Sequence, residues 1–177
     1  MQARLVILQH ADAIDSTQLW ALRFFKKTQK ASYDLYKFTA KQQTAGIGTK
    51  GRSWLSPAGG FYASYATFLD AMVVESIAAE LAQKVTDFLL AIDIPCKLKK
   101  PNDILVNQQK LAGILAMQEN LQGKWLLCIG IGINVEVAPN VADRDTASIG
   151  QFTDMTVLDV EQGIDQIIFQ HLYTQHR

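Results

Sequence analysis

The chain has 177 residues, of which 49% are apolar and 19% charged, a balance typical of a folded globular domain. Seventeen lysines and arginines balance seventeen aspartates and glutamates, so the basic excess of most nucleic-acid-binding domains is missing. Two cysteines cannot form a disulfide framework, and no apolar run suggests a signal peptide or a membrane span. We therefore expect a cytoplasmic protein that binds neither nucleic acid nor membranes.

In chain order, apolar residues that recur with a period near two predict strands, and those with a period near 3.6 predict helices. The elements predicted in this way are a strand Leu5–Leu8, a helix Ser16–Gln29, strands Tyr33–Ala40 and Phe61–Leu69, a helix Val73–Ile92, a hairpin of Asp103–Val106 and Leu111–Gln118, a strand Trp125–Val135 and a helix Val157–Tyr173. Because short turns join most strands and the helices stand between groups of strands, the pattern favours an α+β fold over regular βαβ alternation.

The segment Gln42–Pro57, QQTAGIGTKGRSWLSP, holds three glycines within six positions. Glycine permits close approach and positive φ, so neighbouring N–H groups could converge on an anion, with Lys50 and Arg52 adding charge. The spacing matches neither a P-loop nor the dinucleotide-binding fingerprint. Taken alone, the loop is explained more simply as a glycine-rich connection between strands with solvated cations.

Two further motifs have both a structural and a functional interpretation. In Asp15–Gln18, DSTQ, a helix N-cap explains the sequence, while the hydroxyls of Ser16 and Thr17 could also meet a polar ligand. In Lys99–Asp103, KKPND, turn chemistry accounts for the Pro-Asn-Asp run at the entry to the hairpin.

The last two motifs lie on predicted strands. Lys110 interrupts the apolar run KLAGIL, and if its side chain points inward it needs an anionic partner, because a lone buried ammonium is costly. The strand end Gly130–Val135, GIGINV, carries glycines that could mark a bulge or close backbone packing.

Together, these motifs resemble the catalytic domain of biotin protein ligases. The resemblance runs from about Ile14 to Val135 and comprises, in order, Ser-Thr, Gln-Thr-Ala-Gly-x-Gly-x-x-Gly-Arg-x-Trp-x-Ser-Pro, Lys-x-Pro-Asn-Asp, Lys-Leu-Ala-Gly-Ile-Leu and Gly-Ile-Gly-Ile-Asn-Val. It implies the class II synthetase-like fold of biotin and lipoate ligases, a mixed, mostly antiparallel sheet with helices packed on it. It also implies one catalytic domain over residues 1–177, without an N-terminal helix-turn-helix or a full C-terminal β-barrel.

The activity implied by the resemblance has two steps. Biotin and ATP form biotinyl-5′-AMP, and biotin then passes to a lysine of the biotin carboxyl carrier protein of acetyl-CoA carboxylase. The first step brings a carboxylate against an anionic α-phosphate, so N–H groups, a lysine and Mg²⁺ must supply positive charge. Biotin, ATP and Mg²⁺ are thus the expected ligands, and a homodimer is compatible with the resemblance.

The resemblance also implies roles for individual residues, with Lys110 as the catalytic residue that contacts both the biotin carboxylate and the α-phosphate. The implied biotin-binding residues are Ser16, Thr17, Gln18, Gln43, Gly46, Ile47, Gly48, Thr49, Lys110 and Gly113. The implied ATP-binding residues are Arg52, Trp54, Asn102, Asp103 and Asn134. Trp54 is expected to pack beneath the glycine-rich loop. No protein ligand to a metal is implied, except that Asp103 could act through Mg²⁺.

The chain departs from the family pattern in its phosphate loop. Many biotin protein ligases read Gly-Arg-Gly-Arg-Arg-Gly-Arg there, whereas this chain has Ile47, Thr49 and Lys50 at the inner positions, and Lys100 replaces a frequent Trp. Weaker clamping of the adenylate is expected. Two alternatives follow: an impaired or non-catalytic binder of biotin or its adenylate, and a lipoate or octanoyl transferase. The missing Arg-Arg-x-Ser-Gly-Gly-Gly motif argues against the second.

Overall fold

Residues 5–28, 33–121 and 123–175 are described by the computed structural model, and over these residues the chain forms a seven-stranded sheet with three helices. The strands are β1 Leu5–Ile14, β2 Leu35–Gln43, β3 Gly60–Leu69, β4 Cys96–Lys99, β5 Asp103–Val106, β6 Gln109–Leu121 and β7 Lys124–Asn134. The helices are α1 Thr17–Thr28, α2 Val74–Ala91 and α3 Val157–Gln175.

The sheet has the strand order β1-β2-β3-β7-β6-β5-β4. Strands β1 and β2 run parallel, and every other neighbouring pair is antiparallel. The predicted mixed, mostly antiparallel sheet is therefore confirmed. Strands β3 and β7 pair along their whole length, from Gly60 opposite Asn134 to Leu69 opposite Trp125, which places the glycine-rich end of β7 at the centre of the sheet.

Side chains that alternate along β3 separate two cores, because successive residues of a strand face opposite sides. Ala66 and Phe68 face α1, where Phe25 lies edge-on to Phe68 with ring centroids 5.5 Å apart. Phe61, Ala63 and Tyr65 face α2 and α3 and belong to the larger core. The sheet is thus covered by one helix on one face and by two helices on the other.

Each core contains one free, buried cysteine. Cys128 on β7 belongs to the core beneath α1, and burial raises the pKa of its thiol to about 12. Cys96 on β4 belongs to the core beneath α2 and α3, where its Sγ lies 3.7 Å from the carbonyl oxygen of Thr86. Burial also raises the pKa of the Cys96 thiol.

A buried ionic cluster joins α3 to the sheet. Lys37 on β2 has a side chain only 1% exposed, and its Nζ lies 2.5 Å from Glu161 Oε1 and 2.7 Å from Asp165 Oδ2. The Tyr65 hydroxyl donates a hydrogen bond of 2.6 Å to Asp165 Oδ1. Burial, reinforced by the two carboxylates, raises the pKa of Tyr65 well above its usual value, so the phenol stays protonated and continues to donate.

The structure differs most from the predicted elements at β1 and β4. β1 continues past the predicted Leu8 to Ile14, because it pairs in parallel with β2 as far as Gln43. The edge strand β4 was not predicted, since its four residues CKLK alternate too briefly to be recognised; pairing with β5 defines it. The predicted end of the first helix, Gln29, lies outside the described residues. No helix among the described residues is long and apolar enough to cross a membrane.

Candidate active site

Two adjacent cavities lie where the N-terminus of α1, the glycine-rich loop and strands β6 and β7 meet. The small cavity, of about 40 Å³, has walls formed by Ser16, Thr17, Gln18, Gln43, Ile47, Gly48, Thr49, Trp54, Ala63, Ser64, Asn102, Asp103, Lys110, Gly113, Ile114, Leu115, Gly130, Ile131 and Gly132. The large cavity, of about 410 Å³, has walls formed by Arg52, Ser53, Trp54, Leu55, Lys110, Asn134, Pro139, Val141, Ala142, Asp143, Arg144 and Thr146. Trp54 and Lys110 line both.

The structure brings most of the predicted site residues together. Every predicted biotin-binding residue except Gly46 lines the small cavity. Of the predicted ATP-binding residues, Arg52, Trp54 and Asn134 line the large cavity, while Asn102 and Asp103 line the small one. Residues that are far apart in sequence therefore share one continuous site with two compartments.

The N-terminus of α1 forms one wall of the small cavity. Ser16 stands at the N-cap position, with its hydroxyl 3.4 Å from the N–H of the third helical residue. The N–H of Thr17 donates to Gln43 Oε1 over 2.9 Å, and the Thr17 hydroxyl lies 2.9 Å from that of Ser64. Gln43 in turn donates through Nε2 to the Ser56 hydroxyl over 2.8 Å. The DSTQ motif thus serves as a helix cap and also lines the cavity.

Gln18 supports the wall formed by β6 and β7. Its Nε2 donates to the carbonyl oxygens of Leu115 and Cys128, at 3.0 and 3.1 Å. A Cβ at Gly130 would lie 2.6 Å from Gln18 Oε1, so the glycine makes room for this amide. The amide nitrogen of Gln18 is therefore used to hold the two strands.

Trp54 packs over the glycines of β6 and β7. A Cβ at Gly132 would lie 2.6 Å from the indole, and one at Gly113 would lie 3.3 Å from it. Lys110 Nζ lies 5.1 Å from the centre of a Trp54 ring, a cation–π contact. The glycines of the KLAGIL and GIGINV motifs thus let a large aromatic side chain lie flat against the sheet. Within the described residues, the buried Trp54 Nε1 has no hydrogen-bond acceptor.

The glycine-rich loop folds back on itself as a hairpin. Trp54 donates its N–H to the Gly46 carbonyl over 2.8 Å, and Gly48 donates its N–H to the Arg52 carbonyl over 2.7 Å. Lys50 and Gly51 form the tip with φ of 58° and 73°. A Cβ at Gly46 would lie 2.4 Å from the Trp54 carbonyl oxygen. Packing of the hairpin therefore explains Gly46, and the Gly48 N–H is already engaged within the loop.

Lys110 points inward on β6, and its partner is Asp103. Lys110 Nζ lies 2.6 Å from Asp103 Oδ1, and the lysine side chain is 11% exposed. Burial lowers the pKa of the Lys110 ammonium, Asp103 opposes that shift, and the cations Arg144 and Arg52 lower the pKa further. The ammonium thus lies at the junction of the two cavities with other positive charges nearby.

Two asparagines fix the strand that carries Lys110. Asn102 donates to the Ile114 carbonyl over 2.7 Å. Asn134 donates through Nδ2 to the carbonyl oxygens of Lys110 and Ala147, at 3.2 and 2.9 Å. These two acceptors fix the orientation of the Asn134 amide and leave its buried Oδ1 without a donor among the described residues.

Sequence reasoning missed the segment after β7. Pro139, Val141, Arg144 and Thr146 line the large cavity, and Thr146 forms a parallel bridge with Lys110. The matched motifs end at Val135, and this polar stretch shows neither strand nor helix periodicity. Its signal was the run Arg-Asp-Thr, in which a cation and a hydroxyl closely follow a glycine-rich strand.

The class of fold is defined by the seven-stranded mixed sheet, and the site is defined by a lysine that lies between two cavities. Comparison with known proteins identifies the family. The chain belongs to the biotin/lipoate A/B protein ligase family, whose profile matches residues 11–136. The prediction of a biotin protein ligase catalytic domain is thus confirmed at the level of family and fold.

Individual relatives agree with this assignment. The chain is 30% identical over 139 residues to a biotin–[acetyl-CoA-carboxylase] ligase of Paracoccus denitrificans, covering 71% of this chain and 53% of that protein. A ligase of the same name from Mycobacterium tuberculosis is 35% identical over 130 residues, which are 67% of this chain and 46% of that protein. The chain thus spans about half the length of these curated relatives.

Solved structures show the same relationship. The biotin protein ligase of Leishmania major in complex with biotinyl-5-AMP superposes with a TM-score of 0.76 at 25% identity, covering 97% of this chain and 76% of that one. The biotin protein ligase of Aquifex aeolicus in complex with biotin and ATP gives a TM-score of 0.72 at 27% identity, covering 97% and 71%.

Proposed function

We propose that this chain is an ATP-dependent biotin ligase that forms biotinyl-5′-AMP and transfers biotin to a lysine of the biotin carboxyl carrier protein of acetyl-CoA carboxylase. The observation that carries the proposal is the position of Lys110, whose ammonium lines the small cavity and the cationic large cavity at once. Relatives that are named biotin–[acetyl-CoA-carboxylase] ligases support the choice of substrates.

The side chains around the small cavity suit the polar ureido head of biotin. The hydroxyl and amide groups of Thr17, Gln43 and Ser64 offer both donors and acceptors, which a ureido ring with one carbonyl and two N–H groups requires. The indole of Trp54 gives an apolar surface for the sulfur-containing ring. The carboxylate of the valeryl chain then extends toward Lys110.

The large cavity suits ATP. Arg52 and Lys110 supply positive charge for the phosphates. Asn134, a predicted ATP-binding residue, lines the same cavity, and its buried Oδ1 has no donor among the described residues. Since Asn134 also holds the Lys110 carbonyl, nucleotide binding and the position of Lys110 are linked.

The proposed reaction needs no covalent bond to the protein. A biotin carboxylate oxygen attacks the α-phosphorus, the bond to the bridging oxygen of the β-phosphate breaks, and pyrophosphate leaves. The amine of the carrier lysine then attacks the biotinyl carbonyl, loses a proton, and AMP leaves. Two unit charges about 4 Å apart repel by about 4 kcal/mol at an effective dielectric constant of about 20. The Lys110 ammonium offsets this repulsion.

Mg²⁺ fits the site through the nucleotide. Among the described residues, no group of three or more His, Cys, Asp or Glu side chains is arranged to hold a metal ion, and Asp103 is engaged with Lys110. Mg²⁺ is usually bound by one or two carboxylates together with substrate phosphates. The ion would supply further positive charge at the phosphates, with Asp103 as the nearest protein carboxylate to Lys110.

The proposal is tested by ATP-dependent transfer of biotin to a carrier domain, measured with pyrophosphate release for the native chain, Lys110→Ala and the control Lys84→Ala. Lys84 is exposed on α2, away from the site. We expect native activity, little change in the control and a loss of at least about a hundredfold for Lys110→Ala, the scale for removing one preorganised charged donor. Tight biotin binding without pyrophosphate release from the native chain would instead indicate a non-catalytic binder.

A further inference from the structure

Arg144 lies in the segment after β7, outside the ligase motifs, and its side chain lines the large cavity together with Arg52 and Lys110. We propose that Arg144 binds the phosphate groups of the nucleotide and thereby adds a second guanidinium to this cavity. The inference rests on the proposed function for the identity of the nucleotide. The position of Arg144 and its contacts do not depend on which reaction follows nucleotide binding.

The backbone fixes Arg144 close to the catalytic lysine. Lys110 donates its N–H to the carbonyl of Asp145 over 2.9 Å, and Ala147 donates its N–H to the carbonyl of Lys110 over 3.0 Å. The segment thus pairs with the start of β6, beyond the last residue pair of β6 and β7, with Thr146 as the bridging residue. Arg144 precedes this bridged stretch directly, so strand pairing rather than a free loop sets its place.

Asp143, the carboxylate that pairs with the Arg144 guanidinium, can readily be replaced by a phosphate. Arg144 donates two hydrogen bonds to the adjacent Asp143, from Nε at 3.3 Å and from Nη2 at 3.1 Å. The carboxylate side chain is 69% exposed, while that of Arg144 is 25% exposed. An ion pair with one such exposed member is weak, because solvent screens it. A phosphate accepts two parallel hydrogen bonds from a guanidinium, so it can replace the carboxylate at little cost.

The charges around the large cavity also favour a polyanion. Among the described residues that form its walls, Arg52, Lys110 and Arg144 are cationic and Asp143 is the carboxylate. Both arginines are close enough to Lys110 to lower the pKa of its ammonium. Like charges held together in this way repel one another, Asp103 and Asp143 offset part of the repulsion, and a polyanionic ligand relieves it further.

The glycine-rich loop contributes little positive charge to the large cavity, so a second guanidinium would strengthen phosphate binding there. Its inner positions Ile47 and Thr49 are uncharged, and Lys50 is exposed at the positive-φ tip. From this loop, the large cavity receives one cationic side chain, that of Arg52. Arg144 belongs to a different segment and contributes a cation from beyond the end of β7.

The test is the affinity for ATP, AMP and adenosine, measured by calorimetry without biotin, for the native chain, Arg144→Ala, Arg144→Lys and the control Lys84→Ala. We expect Arg144→Ala to weaken ATP binding by about tenfold to a hundredfold, the range for a hydrogen bond to a charged group, and to leave adenosine binding unchanged. Arg144→Lys should retain part of the affinity, since it keeps the charge but loses the fork. Biotin affinity should not change.

Three other outcomes would overturn the inference. Equal losses for ATP and adenosine would mean that Arg144 shapes the cavity without contacting phosphate. Unchanged ATP affinity in Arg144→Ala would mean that the guanidinium remains with Asp143. Failure of the native chain to bind ATP would remove both proposals. Conversely, ATP binding that depends on Arg144, with no biotinyl-5′-AMP formed, would reject the proposed function and retain this inference.

Discussion

Lys110 is placed where its charge is costly to maintain. Burial disfavours the ammonium, Arg144 and Arg52 disfavour it further, and the contact with Asp103 counteracts both. A lysine in such surroundings loses its proton at a lower pH than an exposed one. If the protonated form stabilises the reacting phosphate, the rate of the proposed reaction should fall at a lower pH than it would with an exposed lysine of ordinary pKa.

The pH dependence follows from the sign of these effects. Replacing Asp103 by Asn removes the group that raises the pKa of Lys110, so the ammonium deprotonates at a still lower pH. We expect the alkaline limb of biotinyl-5′-AMP formation to move to lower pH in Asp103→Asn. The measurement is the pH–rate profile of adenylate formation, with the exposed Asp87→Asn as the control. An unchanged limb or a shift to higher pH would contradict this account of Lys110.

For individual residues, the sequence predicts the chemical requirement of a side chain better than it predicts which residues surround that side chain. An inward lysine required an anionic partner, and Asp103 is that partner. The glycines of β7 were predicted to mark a bulge or close backbone packing, but the indole that covers Gly132 comes from a loop distant in sequence. Arg144 was not found, since only the pairing of its segment with Lys110 brings it to the site.

At the scale of elements, α3 is attached to the sheet through charges as well as apolar contacts. Ile164 and Ile168 are fully buried in the larger core, while Glu161 and Asp165 reach the buried Lys37. A buried pair that loses one member leaves an uncompensated charge, which costs more than the pair itself contributes. The anchoring of this helix therefore depends on one lysine of β2.

We expect Lys37→Ala to destabilise the fold by about 3 kcal/mol, the lower end of the range for breaking a buried ion pair. Lys26→Ala is the matched control, because Lys26 pairs with Glu119 at 2.8 Å while 52% exposed, and its loss should cost less than about 1 kcal/mol. Urea unfolding of both variants gives the two free energies. Equal values for Lys37→Ala and Lys26→Ala would show that the buried cluster does not anchor α3.

Elements with a strong period were predicted close to their observed bounds, as for β3 and α2. The extension of β1 and the existence of β4 could not be predicted, because each depends on a partner strand rather than on its own pattern. The hairpin shape of the glycine-rich loop was also not predicted, since it depends on hydrogen bonds between Gly46, Gly48, Arg52 and Trp54.

At the scale of the whole molecule, the sheet separates two cores that share no helix. The smaller core lies under α1 beside the N-terminal wall of the small cavity, and the larger core lies under α2 and α3. Motif order along the chain predicted the class of fold, but not which helix covers which face. That division follows from the strand order, which long-range pairing determines.

The two buried cysteines allow the exposure of each core on unfolding to be measured separately. Neither thiol should react with an aqueous disulfide reagent while the chain is folded, because burial raises the pKa of both and keeps the reagent out. In Cys96→Ala, labelling reports on Cys128 under α1; in Cys128→Ala, it reports on Cys96 under α2. If the sheet unfolds as one unit, both thiols become reactive at the same urea concentration; separate midpoints would reject this expectation.

Each of the two cores thus contains one cysteine that serves as a chemical probe. A ligand that closes the α1 side of the sheet would slow labelling of Cys128 by more than it slows labelling of Cys96. Local unfolding on the two faces of the sheet can therefore be followed separately, with one native sulfur atom on each side.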